Sequence, residues 1–132
     1  MTGARTLVPG RATGEVLVLE DRLSFWGGID PATGEIVDVH HPQRGANVAG
    51  KVLVMPGGRG SSSSSSVLAE AIRAGTAPAA VVLLEPDPIV ALGSIVAREL
   101  YGIAVPVVVS HEVPIGRLAV EARPDGASLE PA

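Results

Sequence analysis

The run Met55-Pro56-Gly57-Gly58-Arg59-Gly60, followed by six serines from Ser61 to Ser66, constrains this chain more than any other stretch. A strand-like segment, Lys51 to Val54, enters it. A helix-like segment, Val67 to Ala74, leaves it. The glycines and serines therefore fall on a tight turn between a strand and a helix start. Glycine permits positive φ and close approach of a ligand to the backbone. A helix start adds unpaired N–H groups and partial positive charge. The combination suits an anion, with several hydroxyls directed at it.

Other readings of the serines stay open at this level. Composition alone suggests a flexible linker. A mobile linker here would separate two elements of one βα unit that need each other's apolar faces, and composition does not shift on either side. Serine is also a favoured N-cap, a role expected of one residue among Ser63 to Ser66. Capping does not account for six serines, nor for Arg59 just before them.

The segments around the turn extend the pattern. Val67, Leu68, Ala71, Ile72 and Gly75 share one helical face, and Gly75 with Pro78 beyond it ends the helix. Ala79 to Leu84 is a continuous apolar run, as in a strand covered on both faces. Asp87 as N-cap and Pro88 at the first position open a second helix to Tyr101, which Gly102 ends. Gly102 to Val109 supplies another buried strand with Pro106 near its start. The second half thus reads β-α-β-α-β, a crossover pattern with helices packed on a sheet. Before it, Gly14 to Leu19 reads as a strand, and Glu35 to Val39 alternates like a half-buried one. The expectation is an α/β fold of two β layers and one helical layer, a single domain over residues 1–132. Its core spans about 14–121, with one weak strand at Leu118 to Glu121 and a frayed tail over 122–132.

Composition bounds the function. Of 132 residues, 46% are hydrophobic but only 2% aromatic, so the core must be Val, Leu, Ile and Ala. The net charge of −4, without a basic cluster, argues against nucleic-acid binding. Without cysteine, the chain can form no disulfide and ligate no iron–sulfur cluster through thiolates. Its start lacks a signal-peptide core and its apolar runs are too short to span a membrane, so a cytoplasmic protein is expected. The only Phe and Trp, Phe25 and Trp26, sit beside Gly27 and Gly28. They either pack over the core edge or line a pocket mouth or subunit interface. His40 and His41 are adjacent in a loop with no third ligand nearby, which favours ordinary hydrogen bonding over metal binding.

A serine hydroxyl needs help to act as base or nucleophile. Arg59 offers a fixed charge and a bidentate grip on carboxylate or phosphate. The turn amides and helix start favour an alkoxide or oxyanion. A hydrolase triad has only His41 and His111 to draw on. The G-x-S-x-G elbow fails, since Gly58-Arg59-Gly60-Ser61-Ser62 has glycine where the serine should be. Walker A fails for want of Gly-Lys followed by Ser or Thr. Residue logic alone yields an anion-binding βα turn, either a binding module or half of an active site.

Several motifs in order carry a further resemblance. Ser24-Phe25-Trp26-Gly27-Gly28 with Asp30-Pro31, His41-Pro42, Gly50 to Pro56, Gly58-Arg59-Gly60-Ser61-Ser62, Ala77-Pro78-Ala79-Ala80 and Ala91-Leu92-Gly93 together resemble the aconitase X small subunit, or swivel domain. The resemblance runs from about Gly14 to Val109. It implies a swivelling β/β/α three-layer domain that closes over a large catalytic subunit. It also implies hydro-lyase chemistry on a small carboxylate substrate, and a metal or iron–sulfur centre held by the large subunit rather than by this chain. In the family the first serine after the Gly-Arg/Lys-Gly turn is the proton acceptor, which carries over to Ser61. Gly58, Arg59, Gly60, Ser62 and Ser63 would hold the substrate anion, and the metal centre of the partner would assist departure of hydroxide. Within the serine run, Ser62 and Ser63 remain alternatives as the base. One departure stands out: aconitases proper carry arginine after their swivel serines, whereas here Arg59 precedes them and Val67 follows. The anion grip must therefore differ or come from the partner.

Family activities include dehydration of cis-3-hydroxy-L-proline and of a phosphomevalonate. Arg59, the Ala-Pro-Ala-Ala and Glu-Leu-Tyr-Gly stretches and the arginine-rich, lysine-poor composition favour the first. A phosphomevalonate dehydratase small subunit is the alternative, and a non-catalytic anion-binding module is the rival from another class.

Overall fold

A computed structural model describes residues 4–132. Seven strands form one sheet in the order β1-β5-β4-β3-β2-β6-β7. They are β1 (Arg5–Val8), β2 (Gly10–Val18), β3 (Val52–Met55), β4 (Ala80–Leu83), β5 (Val107–Val109), β6 (Arg117–Arg123) and β7 (Gly126–Pro131). Strands β2, β3, β4 and β5 run parallel, and β1, β6 and β7 pair antiparallel. Helices α2 (Ser62–Ala74) and α3 (Pro88–Tyr101) are the crossovers, and α1 (Phe25–Gly28) is one distorted turn.

Strands β3, β4 and β5 are apolar at every position because both faces are covered, and side chains alternate between faces. One face presents Leu53, Met55, Val81, Leu83, Val107 and Val109 to Leu68, Ala71 and Ile72 of α2 and Val90 and Ala97 of α3. The other presents Val52, Val54, Ala80, Val82 and Val108 to Leu118, Val120, Ala122 and Leu129 of the β6–β7 hairpin. The sheet curls so that the hairpin covers its second face, and a bridge between Ala4 and Ala127 ties the two edges. Helices, sheet and folded-back hairpin are the expected three layers, in a nearly barrel-shaped α/β unit.

Several expectations need correction. The tail does not fray: β7 pairs with β6 from Gly126↔Arg123 to Pro131↔Leu118, and Ala127 and Leu129 are buried. Its alternation of Ala127 and Leu129 with polar residues is a half-buried strand signal. Packed structure also begins before residue 14, since β1 and the first half of β2 complete two sheet pairings. Glu35 to Val39 forms only isolated bridges, Ile29↔Ile36 and Glu35↔Asn47. Its alternation survives because Ile36 is a buried anchor inside a loop. Helix α2 begins five residues earlier than Val67, taking in the serines. Ser61 is its N-cap, in place of the expected Ser63 to Ser66.

Serine is a mediocre helix former because its hydroxyl competes for nearby backbone groups. Here tertiary partners occupy two of the hydroxyls. Ser65 Oγ donates to Ile89 O at 2.7 Å, tying α2 to the start of α3. Ser64 Oγ, also buried, bonds outside its own helix. Only Ser66 bonds back within the helix, to Ser62 O at 3.4 Å. Gly75, left-handed at φ 80°, donates its N–H to the last carbonyls and ends α2 as expected.

Among the described residues, no helix is long and apolar enough to cross a membrane.

Candidate active site

The four parallel strands end at one edge of the sheet. The segments leaving them there are Leu19 to Gly28, Pro56 to Ser61, Leu84 to Asp87 and Ser110 to Gly116. Such a C-terminal edge is where α/β sheets gather their ligand-binding loops.

The turn after β3 is built by specific contacts. Gly58 donates its N–H to Asp87 Oδ2 at 2.7 Å, and Asp87 Oδ1 accepts from Ile89 N at 2.8 Å and Val90 N at 3.2 Å. One carboxylate thus caps α3 and anchors the glycine turn. A Cβ at Gly58 would stand 2.7 Å from that carboxylate and 2.8 Å from Val90 Cγ2. Asp87→Ala removes the cap and leaves the Gly58 N–H without its charged acceptor. The expected loss is about 2–3 kcal/mol from the two effects together. Asp87→Asn keeps the capping oxygen and loses roughly half as much. Urea midpoints check this, and equal losses in both variants would contradict the shared-carboxylate account.

Gly60 has φ 110°, and a Cβ there would lie 2.6 Å from Ser64 Oγ and 3.0 Å from Ser24 Oγ. Those two hydroxyls are 2.9 Å apart. Ser64 Oγ reaches Arg59 O at 3.1 Å and accepts from Trp26 N at 3.4 Å, while Ser24 Oγ donates to Trp26 O at 2.9 Å. The α1 loop is thereby fixed to the start of α2.

This arrangement sorts the six serines. Ser64, Ser65 and Ser66 are committed to hydrogen bonds. Ser61, Ser62 and Ser63 are exposed on the first turn. Ser61 is extended at φ −118°, ψ −165°, and its side chain makes no capping hydrogen bond. The site residues named from sequence, Gly58, Arg59, Gly60, Ser61, Ser62 and Ser63, lie on one continuous turn. The N–H groups of Gly58 and Arg59 are already used, the latter by Leu23 O at 3.2 Å. The helix-start amides that follow are the ones available to an anion.

Two guanidinium groups flank the turn. Arg59 pairs with Asp21 at 3.3 Å, and Arg22 pairs with Glu85 at 2.9 Å. Both pairs are solvent-exposed, so each contributes only about 0–1 kcal/mol. A substrate carboxylate can replace Asp21 on Arg59 at small cost. His41 is buried and engaged. Its Nδ1 accepts from Gln43 N at 3.0 Å, and its Nε2 faces Asp21 O at 3.3 Å, which assigns the ring proton to Nε2. It holds the loop and has no free nitrogen for a triad. Among the described residues, no three His, Cys, Asp or Glu side chains are grouped as a metal site requires.

Sequence reasoning missed Ser24, Arg22 and the second role of Asp87. Ser24 carried a signal only as part of an unusual Phe-Trp-Gly-Gly stretch. Nothing local pairs it with a serine 40 positions on.

The profile of the aconitase X swivel domain matches residues 1–122. This chain belongs to the aconitase X swivel domain family. Among solved structures, aconitase X of Thermococcus kodakaraensis in its holo-form matches with a TM-score of 0.83 and 34% identity, over 98% of this chain and 97% of that one. The cis-3-hydroxy-L-proline dehydratase of Pseudomonas aeruginosa is 55% identical over 103 residues, 78% of this chain and 18% of that protein. The phosphomevalonate dehydratase small subunit of Methanothermobacter thermautotrophicus is 45% identical over 93 residues, 70% of this chain and 71% of that one. The swivel domain here therefore spans about a fifth of the Pseudomonas relative, and most of the archaeal small subunit.

Proposed function

We propose that this domain supplies the proton-accepting half of the active site of an aconitase X-type hydro-lyase, working with a larger polypeptide. The substrate favoured is cis-3-hydroxy-L-proline. The observation that carries this reading is the division of the serine run. The first three hydroxyls are exposed, Ser61 is free of its capping bond, Ser64 and Ser65 are buried and bonded to other elements, and Ser66, though exposed, turns back onto Ser62 O.

Ser61, as alkoxide, takes the proton from the carbon bearing the substrate carboxylate. The electron pair of that C–H bond forms the new double bond, and hydroxide leaves from the neighbouring carbon. Oγ is thereby reprotonated to the hydroxyl. The start of α2, with its unpaired N–H groups and partial positive charge, lowers the cost of the alkoxide. Arg59 exchanges Asp21 for the substrate carboxylate, and Ser62 and Ser63 donate to it. Gly58 and Gly60 give the turn its shape. Among the described residues no group of metal-ligating side chains stands ready to assist the departing hydroxide, and this reading assigns that part of the site, with any metal or cluster, to the larger polypeptide.

The 55% identity to the Pseudomonas enzyme supports the hydroxyproline substrate. The similar length of the archaeal small subunit supports phosphomevalonate as the second reading. Water loss from cis-3-hydroxy-L-proline and from 5-phosphomevalonate, assayed on the domain co-purified with its larger polypeptide, decides between them. Turnover of the first alone is expected. Small-anion binding by the isolated domain, with no turnover of either substrate in the complex, would mean a binding module without chemistry.

A further inference from the structure

Phe25 is buried while Trp26 beside it is 64% exposed. The exposure is not slack in a mobile loop. The Trp26 N–H is held by Ser64 and its carbonyl by Ser24, so the indole is presented from a backbone pinned at both ends. Val37 N donates to Gly28 O at 2.9 Å, which brings the 37–39 segment against the same turn. Val37 and Val39 are 39% and 64% exposed. Three apolar side chains thus stand in water on segments tied to the start of α2, and the serine turn beside them carries the exposed Arg59–Asp21 pair. An apolar centre with a polar rim is the anatomy of a protein interface, and tryptophan is the residue type most enriched at its energetic centre. A pre-ordered anchor also loses little entropy on binding.

What covers this rim follows from the relatives. In the Pseudomonas protein the matched segment is 18% of the chain, so more than four-fifths of that polypeptide lies outside it. Any chain that completes a site at Ser61 must come down over α1 and the 37–39 segment. We infer that Trp26, with Val37 and Val39, is the seat on which the larger polypeptide of the dehydratase closes. The inference rests on the two-part reading of the site given above.

Trp26 is the chain's only tryptophan, so 5-fluorotryptophan labelling of this chain gives a single 19F resonance. Adding the unlabelled larger polypeptide is expected to shift that resonance. Trp26→Ala is expected to weaken association tenfold or more, and Val39→Ser to weaken it severalfold. Leu100→Ser, at the far end of α3 and 67% exposed, is expected to leave affinity unchanged. Unaltered circular dichroism of the variants confirms their folding. An unmoved resonance in a saturated complex overturns the proposal. So does a shift caused by substrate alone, a shift caused by raising the concentration of this chain alone, or failure of a complex to form. A shifted resonance in a complex that dehydrates neither substrate leaves the docking face standing and removes the proposed reaction. Turnover with an unmoved resonance does the reverse.

Discussion

Replacing Ser61 with alanine is expected to lower kcat of the assembled dehydratase by about 10²–10⁴-fold, the usual contribution of a positioned general base. That corresponds to roughly 3–5 kcal/mol of lost transition-state stabilisation. KM should change little, because in the proposed site Arg59, Ser62 and Ser63 would still hold the carboxylate. Stability should barely move. Loss of an N-cap serine ordinarily costs about 0.5–2 kcal/mol, but Ser61 makes no side-chain capping bond and has none to lose. An unchanged melting curve with collapsed turnover therefore separates chemistry from folding. Ser62→Ala and Ser63→Ala should act mainly on KM. A larger kcat loss in either of these than in Ser61→Ala would reassign the base, and near wild-type turnover in all three would remove serine from the proton transfer.

The second large effect is on folding. Phe25→Ala is expected to destabilise the domain by about 3–5 kcal/mol, through lost burial and a cavity the surroundings cannot fill. Phe25 is 1% exposed and belongs to the core cluster shared by Leu23, Met55, Leu68 and Leu83. With net stabilities of about 5–15 kcal/mol typical of whole domains, that is a large fraction. Trp26→Ala, one residue on, removes a larger side chain and should change stability by no more than about 0.5 kcal/mol, because that side chain faces solvent. Guanidinium midpoints with unchanged m-values test the contrast. Equal losses at the two positions would mean that Trp26 is packed, which would also undercut its role as a docking anchor.

The sequence reading of the aromatic pair offered core packing or an interface. The structure divides the two between those roles, one residue inward and one outward. The alternation from Glu35 to Val39 misled for a related reason. Period two requires only that side chains point to opposite sides, and a loop anchored by Ile36 meets that condition without a continuous ladder. The tail is undervalued when its charged residues Arg123, Asp125 and Glu130 are weighed ahead of its spacing. Ala127 and Leu129 nonetheless fall on one side of β7, where the hairpin meets the sheet.

What the sequence by itself determined is whatever acts within a few residues along the chain. The β-α-β-α-β order, the Asp87–Pro88 start of α3, the Gly75 and Gly102 stops and the buried parallel strands all follow from local caps and apolar runs. So does the presence of an anion-suited turn around Ser61. Only the tertiary structure decided which serine hydroxyls are free. Ser64 is withdrawn from the surface by Ser24, 40 residues away, and Ser65 by Ile89, 24 away. The Gly58 amide is taken by Asp87 at a separation of 29. A run of identical serines contains nothing local to tell its members apart. Their different fates arise because helix α2 turns successive residues toward α3, toward the α1 loop and toward water.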